Sequence, residues 1–252
     1  LRRLRQGRLL DIQVDVKSSY AKLKIGASID IKPGQFVMLK GNWEEPILPR
    51  PFSIYDRDNN SFTILMKIRG KATRKLSKLE RGNEIGFKGP LGNPYPNFRN
   101  RRIFLIGGGS GYAPLHFFAR YFPQKENITF LIGVDKKGTR TFFDEIEGCK
   151  YQWAVEDGSS NHKTIVDLVK DCSFPSDAIL IGCGPKVVLQ TILKIAKEKS
   201  LESYVSLEEM MACGVGMCKG CAVKVREPDH IVVKHVCKDG PLFSAKEVFL
   251  EW

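Results

Sequence analysis

The chain has 252 residues, of which 42% are hydrophobic and 27% charged. That balance excludes a mainly disordered chain, and at roughly 100–200 residues per domain the length corresponds to two compact units or three small ones. Forty Lys and Arg against 28 Asp and Glu give a formal net charge of +12, but no recognition helix, zinc-finger spacing or aromatic RNA-binding pattern accompanies it, so the charge reads as a solvated basic surface rather than a nucleic-acid interface. No apolar run approaches the roughly 18–20 residues of a bilayer span. Leu1-Arg2-Arg3-Leu4-Arg5 has no apolar stretch behind it, so the expectation is a cytoplasmic, soluble protein with no secretory signal in the chain as given.

The first hundred residues read as short strands. Leu9–Val16 alternates apolar and polar side chains, Tyr20–Ile25 repeats the pattern, and Pro33-Gly34 turns into 35–39. Ser53–Tyr55, Phe62–Ile68 and Glu84–Lys88 follow, punctuated by Gly, Pro and Asn. Strands at this spacing predict a small antiparallel barrel, and Thr73–Leu79, apolar at Leu76 and Leu79, suits a short covering helix. Residues 89–96, GPLGNPYP, break all periodicity and place a domain boundary just beyond them.

From Arg102 the pattern changes to alternating strand and helix. Ile103–Ile106 runs into Gly107-Gly108-Gly109-Ser110-Gly111, and Pro114 suits the first turn of a helix with an apolar side at Leu115, Phe117, Phe118 and Tyr121. Ile128–Val134, Tyr151–Val155 and Ala178–Ile181 are further strands. The last enters Gly182-Cys183-Gly184-Pro185, and Val187, Val188, Ile192, Ile195 and Ala196 then recur at helical spacing. Strand–helix repetition predicts a parallel sheet covered on both faces. The expected organisation is therefore multidomain β and α/β: a barrel over residues 1–99, a Rossmann-like nucleotide domain over 100–203, and a small cysteine-bearing domain over 204–252.

Seven cysteines, an odd number, argue against a disulfide framework. Cys213, Cys218, Cys221 and Cys237 crowd into the tail with the spacing C-x4-C-x2-C…C, which is the plant-type pattern for a [2Fe–2S] cluster. Such a loop wraps the cluster with thiolates on iron and backbone N–H groups on sulfide. Gly214, Gly216 and Gly220 fall where positive φ and close backbone approach are easiest for glycine. Ser206 with Glu209 reads as a capping box leading a short helical turn into Cys213. Structural zinc also takes four thiolates, but zinc ribbons usually offer two C-x-x-C pairs, and this triplet is asymmetric.

The turn Gly107–Gly111, after a strand and before a helix, fits a dinucleotide diphosphate, because helix N-termini hold anions and absent Cβ atoms let phosphate approach. Asp135 is the nearest candidate for the ribose, while Lys136, Lys137 and Arg140 would suit a 2′-phosphate; NAD is favoured over NADP but not fixed. Cys183, in the second glycine turn, is read either as a neighbour of the nicotinamide or as a small buried residue. Arg50-Pro51-Phe52-Ser53 with Gly70-Lys71-Ala72-Thr73 makes a flavin site: Arg50 for a diphosphate, Ser53 for the ring system, Thr73 and the helix start for phosphate oxygens. His116, His162, His230 and His235 show no metal-ligand spacing, and no Ser/His/Asp triad is apparent.

PGQFVML, RPFSIYD, KGPLGN, GGGSGYAPL, IGCGP, YVSLEEMMACGVGMCKGCAVKV and VCKDGPLF, taken together, resemble the ferredoxin–NADP reductase superfamily and, within it, the electron transfer subunits of bacterial dihydroorotate dehydrogenases. The resemblance implies FAD at Arg50, Pro51, Phe52 and Ser53, at Leu65, Met66 and Lys67, and at Gly70, Ala72 and Thr73. It implies NAD at Gly107, Gly108, Gly109, Gly111 and Pro114 and at Gly182, Cys183, Gly184 and Pro185, with [2Fe–2S] on Cys213, Cys218, Cys221 and Cys237. Relatives commonly have glycine where this chain has Ala72, a difference that is harmless at negative φ and strained at positive φ. The implied activity is pyrimidine-biosynthetic electron transfer: an FMN-containing catalytic subunit oxidises dihydroorotate, and electrons pass through [2Fe–2S] and FAD to NAD. The implied assembly is a heterotetramer of two of each subunit. Similar chains serve NADH-dependent ferredoxin:NADP oxidoreductases and sulfhydrogenases, and a non-enzymatic reading, a basic binding module held by zinc, leaves the glycine turns without a role.

Overall fold

The computed structural model describes residues 4–98 and 100–249. Six strands, β1 (Arg5–Asp15), β2 (Tyr20–Gly26), β3 (Phe36–Gly41), β4 (Arg50–Arg57), β5 (Ser61–Lys67) and β6 (Glu84–Leu91), close an antiparallel barrel in the order β1-β2-β5-β4-β3-β6. Leu9, Leu23, Ile25, Val37, Ile64, Ile85 and Phe87 fill its interior. The alternation of the first strand does not carry through as its sequence predicts. A bulge between Leu9 and Asp11 puts Leu9 and Ile12 on one face, opposite Ile25 and Leu23, while Leu10 turns out; towards the end of the strand Val14 is 40% exposed, and Val16 lies beyond it. Helix α1 (Lys71–Leu76) covers the barrel with Leu76 inward. The last barrel strand runs on to Leu91, which pairs with Phe36, so the predicted end at Lys88 is three residues short.

The second layer is a six-stranded sheet. Strands β7 (Ile103–Gly108), β8 (Ile128–Val134), β9 (Lys150–Val155), β10 (Ile179–Cys183) and β11 (Glu202–Ser206) are parallel. Helices α2 (Tyr112–Tyr121), α3 (Lys137–Phe142), α4 (Ile165–Asp171) and α5 (Lys186–Glu198) lie between them in the chain. The expected boundary at 203/204 falls inside β11, whose whole length is hydrogen-bonded to β10, so the strand belongs to this sheet. Ser206 is the last residue of that strand, opposite Cys183, and no helical turn follows it. The capping-box reading is thus corrected: the sheet ladder holds Ser206 extended, and residues 207–212 form no helix.

The tail comprises the hairpin β12 (Ala222–Arg226) and β13 (Ile231–His235), the short helix α6 (Val236–Asp239) and β14 (Leu242–Ser244). The last strand returns to the parallel sheet and pairs antiparallel with β11, giving the order β14-β11-β10-β7-β8-β9. Val223, Val225, Val236, Cys221 and Cys237 share one apolar cluster with Leu180, Val205 and Leu207, so the tail is packed on the sheet, not tethered beside it. Among the described residues no helix is long and apolar enough to cross a membrane.

Candidate functional site: a cavity between two glycine turns and a thiol loop

A cavity of about 620 Å³ opens where barrel, sheet and tail meet, a volume in the range of small-molecule sites. Arg50, Pro51, Phe52 and Ser53 line it from β4, Leu65, Met66 and Lys67 from β5, and Arg69, Gly70, Lys71, Ala72 and Thr73 from the start of α1. The first four residues of β4 are all half-buried instead of alternating, because their outward side forms the cavity wall. Gly70 has nothing within 4 Å of where a Cβ would sit, so the turn presents open space. Ala72 lies inside α1 and has no positive φ, so the departure from glycine is unstrained. Thr73 differs from expectation in its partners. Its Oγ1 accepts from the amides of Arg69 (3.0 Å) and Gly70 (3.1 Å) and lies 3.2 Å from the Gly70 carbonyl, which fixes the loop's shape.

The two glycine turns are adjacent. They end neighbouring strands, with Gly107 opposite Cys183, at the point where the strand order reverses direction. Open α/β sheets place ligands at such a point. A Cβ on Gly111 would lie 2.2 Å from the Cys183 carbonyl oxygen, one on Gly184 2.8 Å from the Gly108 amide nitrogen, and one on Gly108 2.6 Å from Pro185. Each turn therefore needs the other's missing side chains. Gly109 and Gly184 also have positive φ, +56° and +140°. Pro114 is the third residue of α2 and is buried. Gly182 packs under Ile192 of α5. Of these residues only Cys183 borders the cavity, joined there by Ser110 and Ala113. Its side chain is 1% exposed, and burial pushes the thiol well above its ordinary pKa.

Asp135 is engaged on both oxygens: Lys67 Nζ stands 3.2 Å from Oδ2, and Thr139 donates to Oδ1 at 2.7 Å. Burial raises its pKa, but these two contacts outweigh that and hold the carboxyl below its usual value. The basic residues nearby are also committed. Lys136 reaches the Lys17 carbonyl at 3.5 Å, and Arg140 stacks on Trp153 and stands 3.8 Å from Glu145.

Sequence reasoning missed the segment that closes the cavity. Ser206, Leu207, Glu208, Glu209, Met210 and Met211 line it in succession. Glu209 Oε1 is buried without a hydrogen-bond partner, an acceptor awaiting a donor. Glu208 is exposed by area because the cavity is open to solvent, yet protein atoms crowd it and push its carboxyl pKa up. The readable signal was two adjacent glutamates and two methionines, separated from Cys213 only by Ala212.

That cysteine begins the thiol loop. The amides of Val215 and Cys218 each lie 3.4 Å from Cys213 Sγ, and Gly216 donates to Cys237 Sγ at 3.1 Å. Cys221 Sγ and Cys237 Sγ are 3.2 Å apart. Burial raises the Cys213 pKa, but the surrounding amides and Cys218 outweigh it and bring the thiol down to about 6; burial and the Cys221 contact push Cys237 up to about 12. All four are free thiols. Among the described residues no three His, Cys, Asp or Glu side chains converge as a single-ion site does. The sulfurs divide instead into two pairs, Cys213 with Cys218 and Cys221 with Cys237, which suits two irons taking two thiolates each. Gly214 and Gly216 have φ of +69° and +80°, but the third positive φ belongs to Lys219, and a Cβ on Gly220 would make only ordinary contact, 3.6 Å from Cys218 Sγ, so Gly220 has neither reason expected of it. The barrel grips this loop: Lys88 Nζ donates to the Cys213 carbonyl at 2.8 Å, and Gly214 packs on Leu91 and Met38. A smaller cleft of about 290 Å³ between α5 and residues 246–249 contains none of the expected site residues.

Cavity and thiol loop each match a family model. Residues 10–95 match the oxidoreductase FAD-binding domain, and residues 208–249 match the iron–sulfur cluster binding domain of dihydroorotate dehydrogenase B. The chain is 36% identical over 218 residues to the dihydroorotate dehydrogenase B (NAD(+)) electron transfer subunit of Caldanaerobacter subterraneus subsp. tengcongensis, covering 86% of each chain. It is 35% identical to that of Clostridium acetobutylicum over 94% of each. Among solved structures, that of an NADH-dependent reduced ferredoxin-NADP oxidoreductase superposes with a TM-score of 0.81 at 26% identity, covering 97% of this chain and 90% of the other. A ferredoxin NADP+ reductase from Neisseria gonorrhoeae, at 14% identity and a TM-score of 0.63 over 78% of this chain and 91% of the other, shares the fold. With the relatives' identity extending over most of both chains, the protein belongs to the family of dihydroorotate dehydrogenase B (NAD(+)) electron transfer subunits.

Proposed function

We propose that this chain relays electrons between an FMN-containing dihydroorotate dehydrogenase catalytic subunit and NAD, with the [2Fe–2S] group on Cys213, Cys218, Cys221 and Cys237 and FAD in the large cavity. A flavin exchanges electrons singly with iron–sulfur and in pairs, as hydride, with nicotinamide, which is why both groups are needed in one chain. The observation that carries this reading is one continuous segment: Ser206 ends a strand beside Cys183, residues 206–211 wall the cavity, and Cys213 opens the thiol loop.

In this reading Arg50–Ser53, Leu65–Lys67 and the turn at Gly70, Ala72 and Thr73 hold FAD, with Thr73 shaping the loop through its bonds to the Arg69 and Gly70 amides. Gly107–Gly111, Pro114 and Gly182–Pro185 form the nucleotide crevice. Cys183, buried yet bordering the cavity, stands where the two meet. These tasks fall to the barrel over 1–99, a nucleotide domain over 100–206 that takes in all of β11, and the thiol-bearing tail over 207–252. The assembly is two chains with two catalytic subunits. The test is anaerobic reconstitution with the FMN subunit: dihydroorotate-dependent NAD reduction by the complex and not by either part supports the reading, and a complex that forms but reduces no NAD refutes it.

The likeness to the NADH-dependent reduced ferredoxin-NADP oxidoreductase favours a second reading, in which the same cofactors serve a different redox partner. NADH-dependent reduction of a ferredoxin partner, with none of dihydroorotate dehydrogenase, would select it.

A further inference from the structure

Tyr20, the first residue of β2, has no part in the flavin cavity, yet it faces the first glycine turn. Its side chain is 1% exposed, and its hydroxyl oxygen lies 2.8 Å from where a Cβ on Gly109 would sit. A side chain at 109 is thus excluded twice, by that hydroxyl and by the φ of +56°. The ring is clamped. Phe143 meets it edge-on with centroids 5.3 Å apart, and Lys67 Nζ, itself 3.2 Å from Asp135, sits 5.5 Å from its centroid. A held ring gives the hydroxyl a fixed direction.

That hydroxyl makes no hydrogen bond among the described residues. The other tyrosines of this region differ: Tyr55 donates to Asp144, Tyr112 to the Asp144 carbonyl, and Tyr151 accepts from the Ile146 amide. Burial and the nearby charge of Asp135 raise the Tyr20 pKa far above the usual phenol value, so it is a neutral donor at physiological pH. The hydroxyl is not sealed off: it keeps access to solvent at the turn, where an acceptor brought by a ligand can meet it. Residues Gly109–Gly111 form a 3-10 turn that runs straight into the ten-residue helix α2, with the Tyr112 amide bonded to the Gly109 carbonyl, so the N-terminal end of this helical run lies at the glycine turn.

We propose that Tyr20 is a nucleotide-binding residue, whose hydroxyl donates a hydrogen bond to the diphosphate of the nicotinamide dinucleotide across the domain boundary. The inference rests on the nucleotide reading of Gly107–Gly111 and adds to it a barrel side chain. The fold explains why a barrel residue would be used: the one side chain of the glycine turn, Ser110, borders the flavin cavity, and the barrel supplies a rigid hydroxyl at Gly109.

The experiment compares the full chain, loaded with FAD and cluster and kept anaerobic, with Tyr20→Phe, which removes only the hydroxyl. Dissociation constants are measured for NADH, for ADP-ribose, which keeps the diphosphate, and for nicotinamide mononucleotide, which lacks it. The expected result is about fivefold to tenfold weaker binding of NADH and ADP-ribose, the size of one lost hydrogen bond, with mononucleotide affinity, FAD content and melting temperature unchanged. Equal affinities for all three ligands in the two proteins, or an equal loss for the mononucleotide, would overturn the proposal. A parent chain that binds neither dinucleotide nor ADP-ribose would bring down the nucleotide reading as well.

Discussion

Cys221 is 1% exposed, touches Cys237 across 3.2 Å and lies at the start of the hairpin that packs on the sheet. Replacing it with Ser keeps the volume and removes a thiolate that a binuclear site needs. The expected outcome for Cys221→Ser is loss of iron and acid-labile sulfide with FAD retained, read from the absorption spectrum and elemental analysis; undiminished iron would exclude Cys221 as a ligand. That the four tail cysteines come together in one loop was legible from sequence, because their spacing is local. Glu208 and Glu209 were not, because what makes them cavity residues is the closing of a distant barrel against them. Ser206 misled for the same reason: its local pattern fits a helix cap, while its actual fate is set by pairing with Cys183 twenty-three residues earlier.

At the scale of elements, α2 binds the two larger units together. Phe117 is fully buried among barrel residues, whereas Phe118 and Leu115 of the same helix pack in the sheet domain. Phe117→Ala is expected to cost about 3–5 kcal/mol, measured by chemical denaturation, and to separate barrel and sheet unfolding into distinguishable steps. A second link is polar. His116 Nδ1 lies 2.9 Å from the Tyr55 carbonyl oxygen with the two rings stacked at 4.1 Å, and Asp144 accepts from Lys22 at 2.7 Å and from Tyr55 at 2.9 Å. Burial holds the His116 pKa below its ordinary 6.5. The unfolded chain therefore gains a proton that the folded chain refuses, and stability falls as pH drops below 6.5. Burial raises the Asp144 pKa, but Lys22 and Tyr55 outweigh it and keep the carboxyl below 3.8, so its contribution is present above that pH and lost on stronger acidification. Urea midpoints measured from about pH 7 to about pH 5 should decline for the parent and decline less for His116→Gln; parallel slopes would remove His116 as the cause. These strands and helices were largely readable from periodicity, whereas the bulge after Leu9 and the reach of β6 to Leu91 depend on partner strands and were not.

Across the whole molecule, three units share one apolar cluster and one cavity, so each depends on the others for its binding surface. The tail is part of the nucleotide sheet through β14, which explains why the chain works as a relay: the thiol loop is anchored at both ends, by Lys88 of the barrel and by the sheet edge. The net charge of +12 gives this body a long-range field. Affinity for the catalytic subunit should fall with added salt, and neutralising Lys219 and Lys238 beside the loop should flatten that dependence, read by titration at several ionic strengths; a salt-independent affinity would dismiss the role of charge. The central claim, that a two-iron group and a flavin occupy adjoining sites in one chain, is tested most directly by counting cofactors on anaerobically purified protein. Two irons, two sulfides and one FAD per chain are the prediction, and one zinc per chain with no flavin would contradict it.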